Sequence, residues 1–353
     1  MGLLDQGTIG ALRWLAAVGA ALALAALAAP PASADPPPAA AGTTSHGFLA
    51  KGGVISPIDH PGATTVPAVP AGQAGTATLG INDRGQVLGV YEGRDRVVRH
   101  FVRDRRGRFT RIDEARSLPA GQFDEYLDIN DRGEIVGFYN DDQGFTTSGF
   151  LRTRNGRFVD IAVPGSTVTG PFRINDRGQV VGLYVDAGGA LHGFVREDGE
   201  YETIDVPGAA ATVVLGINNR EQMVGAYVDA AGAYHGFVRD RSGAVTTLPD
   251  APGADPASGG TQPASINERG QIAGVAYDAH GGSRGFLFER GRFTPITGRD
   301  AAYTRALDLN DSGQVVGDYG TRPPVSASGA RAHRAHLAGG VRLPEQARRT
   351  WLP

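Results

Sequence analysis

The sequence predicts an all-β fold, a β-propeller of four-stranded blades. Three observations predict it: a recurring asparagine turn, a Gly-Phe hairpin between its copies, and a period in the middle forties. The turn first appears as INDRGQVLGVY from Ile81. It returns as INDRGEIVGFY from Ile129, INDRGQVVGLY from Ile174, INNREQMVGAY from Ile217, INERGQIAGVAY from Ile266 and LNDSGQVVGDY from Leu309. The asparagines at 82, 130, 175, 218, 267 and 310 are spaced by 48, 45, 43, 49 and 43 residues, the length of one blade. Between them runs HGFVREDGEYETIDVPGA from His192, with relatives from His46, Gly149, His235 and Gly285 and a degenerate copy from His100. Each repeat thus holds four short apolar segments separated by turn residues, and four strands make a blade.

The turn chemistry supports each element. In Asn82 to Gly85 the asparagine can bond back to the turn backbone and the glycine accepts positive φ, the pattern of a type I turn with a bulge. That glycine recurs at 133, 178, 270 and 313, but the fourth copy places Glu221 there, which implies a local strain of about 1–2 kcal/mol if the site is left-handed. A second glycine, at 89, 137, 182, 225, 274 and 317, falls inside a strand and predicts close approach of another backbone. Apolar pairs such as Val180 with Val181 fit strands covered on both faces by neighbouring sheets.

The array begins with the second half of a repeat, at His46. A chain that starts on half a blade can lend it to the last repeat and close the ring, hiding its edges. Six blades are expected. A weak copy at 335–344 leaves a seventh, incomplete blade as the alternative.

The first 34 residues read as a secretory signal, with Arg13 closing the leader, an apolar run from Trp14 to Ala29, and Ala32 to Ala34 before Asp35 as the cleavage site. An uncleaved anchor is the other reading; the run of 16 apolar residues is short of the roughly 20 that span a bilayer. Residues 35–45 form a Pro/Ala-rich spacer, 46–345 the propeller and 346–353 a tail. There is no cysteine, so stability rests on packing and ring closure. Of 34 basic residues only Lys51 is lysine, a skew read as GC-rich coding and not as arginine-based recognition. The net charge of -3 excludes the clustered basic excess a nucleic-acid binder needs.

The double motif, IND-x-G-Q with HGF and ID-x-PGA, resembles the bacterial HAF repeat proteins over about residues 46–320. The resemblance implies export and a repeated β architecture. It brings no activity, substrate or catalytic residue.

Candidate chemistry is sparse. Asp128 to Gly133 begins like a calcium-binding EF-hand loop, yet Arg132 and Tyr139 stand where its fifth and twelfth ligands belong, and from Asp308 these are Ser312 and Tyr319. His46, His192 and His235 share one repeat position, held elsewhere by Arg99, Ser148 and Arg284, which suits a polar strand start. His333 and His336 lack a third partner for zinc. Asp59, Asp113 and Asp205 precede Pro-Gly turns that they are expected to help close. No G-x-S-x-G elbow, Walker loop or H-E-x-x-H occurs. No catalytic, metal or cofactor residue is therefore assigned, and no cofactor is expected.

Function is sought in stretches that break the repeat: 63–78, 114–126, 250–264 and 320–334. The second holds Phe123, Asp124, Glu125 and Tyr126, the ligand-binding candidates. The chain reads as an exported, monomeric, non-catalytic binding or scaffold module for an extracellular glycan or protein. It has no nucleic-acid partner and no membrane span after signal cleavage. The alternatives are a propeller hydrolase or lyase acting on polysaccharide, with carboxylates gathered at the axis, and a purely structural surface protein.

Overall fold

Each repeat contributes an apolar segment, an asparagine turn and a second apolar segment, and the computed structural model pairs the two as antiparallel strands. The structure describes residues 44–64, 74–95, 97–112, 123–140 and 146–321. The chain enters through β1 (Thr44–Lys51) and β2 (Val54–Ile58). Unit 1 is β3 (Ala74–Ile81), β4 (Val87–Glu92), β5 (Val98–Arg103) and β6 (Phe109–Arg111); unit 2 is β7 (Phe123–Ile129), β8 (Ile135–Asn140), β9 (Thr146–Arg152) and β10 (Phe158–Ile161). Unit 3 is β11 (Val168–Ile174), β12 (Val180–Val185), β13 (Leu191–Glu197) and β14 (Glu200–Ile204); unit 4 is β15 (Ala211–Ile217), β16 (Met223–Val228), β17 (Tyr234–Arg239) and β18 (Val245–Thr247). Unit 5 is β19 (Thr261–Ile266), β20 (Ile272–Tyr277), β21 (Ser283–Glu289) and β22 (Arg292–Ile296), followed by β23 (Ala301–Leu309) and β24 (Val315–Thr321).

The circularly shifted start does close the ring. β1 lies antiparallel to β24 from Thr44 opposite Thr321 to Ala50 opposite Val315, and β2 pairs with its outer edge. The sixth unit is therefore β23-β24-β1-β2, two strands from each end of the array. A short parallel bridge from β1 to β3 joins it to unit 1. The result is a β-propeller of four-stranded sheets. The residues read as signal peptide, most of the spacer, the weak seventh half and the tail lie outside the described residues.

The recurrent strand glycine has a specific cause. A Cβ at Gly182 would stand 2.1 Å from the carbonyl oxygen of Gly170 on the unit's own first strand. The backbone that approaches belongs to the same blade, at a bulge where the register slips between Pro171 and Arg173. The same slip occurs in all six first strands, for example at Tyr126/Asp128 and Ala306/Asp308. It turns one residue per unit toward the axis.

The core sits between sheets. Val181, Val195 and Ile204 of unit 3 pack with Val214, Met223 and Phe237 of unit 4 in one cluster. The phenylalanine of the Gly-Phe motif anchors every blade: Phe48, Phe101, Phe150, Phe194 and Phe237 are wholly buried, and Phe286 nearly so. Truncating one leaves a cavity that rigid flanking sheets cannot refill. Phe194→Ala is expected to cost about 3–5 kcal/mol in chemical denaturation; a loss under about 1 kcal/mol would show that the blades repack freely.

Candidate functional site

The asparagine turns meet at one end of the axis and form a closed hydrogen-bonded ring. Asn82 Nδ2 donates to the carbonyl of Asn130 at 3.0 Å, Asn130 to Asn175, Asn175 to Asn218, Asn218 to Asn267, Asn267 to Asn310, and Asn310 back to Asn82 at 3.2 Å. Each of these buried side chains also serves its own turn. Asn175 Oδ1 accepts the backbone N–H of Gln179 at 3.0 Å, and its Nδ2 donates to Gln179 Oε1 at 2.7 Å. Asparagine is needed because only an amide offers an acceptor to its own turn and two donors to its surroundings.

Outside this ring lies a second, built from the residue after each asparagine. The N–H of Asp131 donates to Asp176, that of Asp176 to Asn219, that of Asn219 to Glu268, that of Glu268 to Asp311 and that of Asp311 to Asp83. The Asp131 carboxylate closes the circuit by accepting from the N–H of Arg84. Burial, ahead of the charges of Asp311 and Asp131, pushes Asp83 up to about 6. The carboxylates of Asp83, Asp131 and Asp176 come within 4.8 Å of one another, so among the described residues these three could hold a cation. All three already accept backbone N–H groups.

Inside the asparagine ring, the six strand bulges present Gly80, Asp128, Arg173, Gly216, Ser265 and Asp308. Asp128, Arg173, Ser265 and Asp308 line an axial cavity of about 80 Å³. Asp128 accepts its neighbour Ile129 N–H at 2.8 Å and the Ile174 N–H of the next unit at 2.9 Å. Asp308 does the same for Leu309 and, across the ring closure, for Ile81 at 2.6 Å, and it accepts the Ser265 hydroxyl at 2.6 Å. Arg173 donates to the Leu307 carbonyl, and its Nε stands 3.8 Å from Asp308. Burial first, and the charge of Asp308 second, push Asp128 up to about 7; burial raises Asp308 as well.

The sequence-derived candidates disperse. His46, His192 and His235 belong to three different units and share no metal site. Each is held by carboxylates of its own unit: His46 by Asp59 at 3.1 Å, His192 by Asp205 at 2.8 Å and His235 by Asp229 at 3.1 Å. The hydrogen bond to Asp59 raises the His46 pKa. This corrects the role expected of Asp59 and Asp205, which bind the histidine 13 residues earlier while the Pro-Gly turn after Asp205 closes through backbone, Ala209 N–H to Val206 O. Asp113, His333 and His336 lie outside the described residues. Phe123, Asp124, Glu125 and Tyr126, expected in a connecting loop, have their backbone in strand β7, Phe123 opposite Asn140 and Tyr126 opposite Gly137. Of the other irregular stretches, 250–264 contains a short 3-10 turn capped by Asp255, which accepts from Ala257 N–H.

Sequence reasoning passed over the axial set because it tested these positions only for periodic calcium ligands. The usable signal was the reverse: a position that varies in charge, two residues before an unvarying asparagine.

No family model matches the chain, and no curated protein matches it in sequence. Solved structures do resemble it. The structure of putative TolB from Agrobacterium tumefaciens aligns with a TM-score of 0.54 at 10% identity, covering 80% of this chain and 99% of that one. The Aleuria aurantia lectin, solved with alpha-methyl-L-fucoside, aligns at 0.41 and 12% identity over 72% of this chain and 95% of its own. The BP39L lectin from Burkholderia pseudomallei aligns at 0.40 and 16% identity, covering 75% and 88%. At these identities the likeness is one of fold. Among the described residues no helix is long and apolar enough to cross a membrane.

Two outcomes test the axis. Asn175→Ala leaves the buried Gln179 N–H without its acceptor and should cost about 1–3 kcal/mol. Asn175→Asp keeps the acceptor but sets a carboxylate against the Asn218 carbonyl, so its penalty should grow as pH rises above about 4; a pH-independent penalty would contradict the ring. The second concerns Asp128, whose folded pKa lies above its unfolded value. The folded state then binds the extra proton, so this group's contribution falls as pH rises from about 4 to about 7 and is constant above. Denaturation of wild type and Asp128→Asn across that window should give a stability difference that shifts in the variant's favour as pH rises; a flat difference would refute the buried protonation.

Proposed function

We propose that the chain is an exported, non-catalytic binding or scaffold module of the HAF-repeat kind, acting as a monomer on a glycan or protein outside the cell or in its envelope. Export rests on the signal-like composition of residues 1–34. The observation that carries the non-catalytic part is the state of the axis. All six repeat asparagines, and the only two carboxylates at the bulge position, have their oxygens occupied by backbone N–H groups or a serine hydroxyl, and both aspartates are about 95% buried. A general acid or nucleophile must instead reach its substrate within hydrogen-bond distance. A cavity of about 80 Å³ is also well below the roughly 300 Å³ at which ligand pockets begin. Binding is then left to the rim and the seams between units, with β7 at Phe123 to Tyr126 kept as a contact candidate.

One observation favours the second reading, a polysaccharide hydrolase or lyase: Asp128 and Asp308 are non-repeated acids that converge at the axis with raised pKa values. A screen of extracellular and envelope polysaccharides with parallel reducing-end and unsaturated-product assays separates the two. The module reading expects saturable binding, no product, and unchanged binding in Asp128→Asn. Product formation that Asp128→Asn abolishes would overturn it.

A further inference from the structure

Neighbouring units face each other across seams in which the same repeat positions recur, so one seam can serve as the control for another. At the seam of units 3 and 4 three arginines are neutralised. Arg177 and Arg241 both pair with Glu221, the latter at 3.2 Å, and Arg239 pairs with Glu202 at 2.9 Å. The repeat places Arg84, Arg154 and Arg152 at the equivalent positions of the seam between units 1 and 2. There Thr110 stands for Glu202 and Gly133 for Glu221. The arginines are kept and their carboxylates are gone.

The consequence is a groove of about 530 Å³ at that seam, lined by Arg84, Arg132, Arg152 and Arg154 and, among the described residues, by no acidic one. Its floor is aliphatic, with Val102, Ile112, Ile129 and Ile135. Arg152 Nε is buried without a hydrogen-bond partner, a state it shares with Arg196 of the next unit. The seam of units 2 and 3 also lacks both carboxylates, with Val159 and Gly178 at those positions, but it carries Asp198 where this seam has Arg154. It is the full set of three arginines with neither carboxylate that sets this seam apart. Glu134, where the other five turns have glutamine, borders the groove on its axial side: it accepts from Asn130 Nδ2 at 2.7 Å and stands 3.9 Å from Arg132. The seam differs from the others in a second way. The glycine before the motif phenylalanine, where a Cβ at Gly193 would meet Val214 of the next unit at 2.8 Å, is His100 in unit 1.

We infer that this groove is a binding site for an acidic polysaccharide whose sugar rings carry carboxylates. Guanidinium forks match carboxylates in bidentate geometry, and the aliphatic floor suits the C–H faces of pyranose rings. The volume lies within the range of ligand sites. Nucleic acid fits less well, because among the described residues no aromatic lines the groove to stack a base, and the chain is net acidic. A lipid surface fits less well too: among the described residues the exposed large hydrophobics are Val54 and Val97, and neither lines the groove.

The site rests on the binding-module reading and names its ligand class. Calorimetry of the full chain with polygalacturonate is the test, with dextran, a sulfated glycan, duplex DNA and phosphatidylglycerol vesicles as parallel arms. Saturable polygalacturonate binding is expected, weakened at about 0.5 M salt. Thr110→Glu with Gly133→Glu rebuilds the neutral seam and should lower affinity at least about tenfold. Because Gly133 sits at φ 75°, the glutamate there also costs about 1–2 kcal/mol of stability, and Thr110→Glu alone, which carries no such strain, should weaken binding with the melting temperature unchanged. The converse pair, Glu202→Thr with Glu221→Gly, should create a second site and raise the stoichiometry. No polygalacturonate binding, an unaffected double variant, or equal or tighter binding of any other arm would overturn the assignment. If envelope polysaccharide is still bound equally by wild type and the rebuilt variant, this site fails while the module reading stands.

Discussion

Six side-chain amides joined head to tail hold the closed end of this molecule together. A propeller blade has no reason of its own to stop twisting against its neighbour at one angle; apolar packing between sheets is non-directional. The asparagine ring supplies direction. Each amide fixes its own turn through Oδ1 and reaches one unit onward through Nδ2, so the turn geometry and the inter-blade geometry are set by the same side chain. The hydrogen bond from Asn310 to Asn82 spans the two ends of the array, as the strands β1 and β24 do at the periphery. Asp308 adds a third link at the same join through the Ile81 N–H.

With the interior fixed in this way, variation elsewhere becomes tolerable. The position before the isoleucine can be Gly, Asp, Arg or Ser because the bulge delivers it to a small axial space where the asparagine ring is already satisfied. The seams of units 1 and 2 and of units 3 and 4 share three arginines and differ in charge because two positions, those of Glu202 and Glu221, decide whether that set is neutralised. Glu221 also shows the limit. It adopts φ 63° where other turns use glycine, a conformation costing about 1–2 kcal/mol, and its two ion pairs are part of what offsets that strain.

Much of the architecture was legible in the residues. The asparagine and glycine of each turn, the four segments per repeat and the half-repeat start at His46 predict the hairpins, the sheets and the closing strand pair. Three things were not. The strand glycine was expected to admit a neighbouring chain at the axis, whereas Gly182 admits its own first strand at a bulge, and a strand buried on both faces has no polar–apolar alternation for a bulge to interrupt. Asp59 and Asp205 looked like turn residues because sequence proximity to Pro-Gly is visible and a partner 13 residues back is not. The arginine seam was hidden because the excess of arginine over lysine was assigned to codon bias. Only the three-dimensional equivalence of Arg152 with Arg239 reveals that one has lost its carboxylate.

The ring is tested most directly by following the side-chain amide protons of Asn82, Asn130, Asn175, Asn218, Asn267 and Asn310 by NMR hydrogen exchange. If the ring governs the fold, all six should exchange only through global opening, with protection matching the full unfolding free energy and scalar coupling to the next asparagine's carbonyl carbon. Exchange at the rate of exposed amides, or protection that differs widely from one unit to the next, would contradict it.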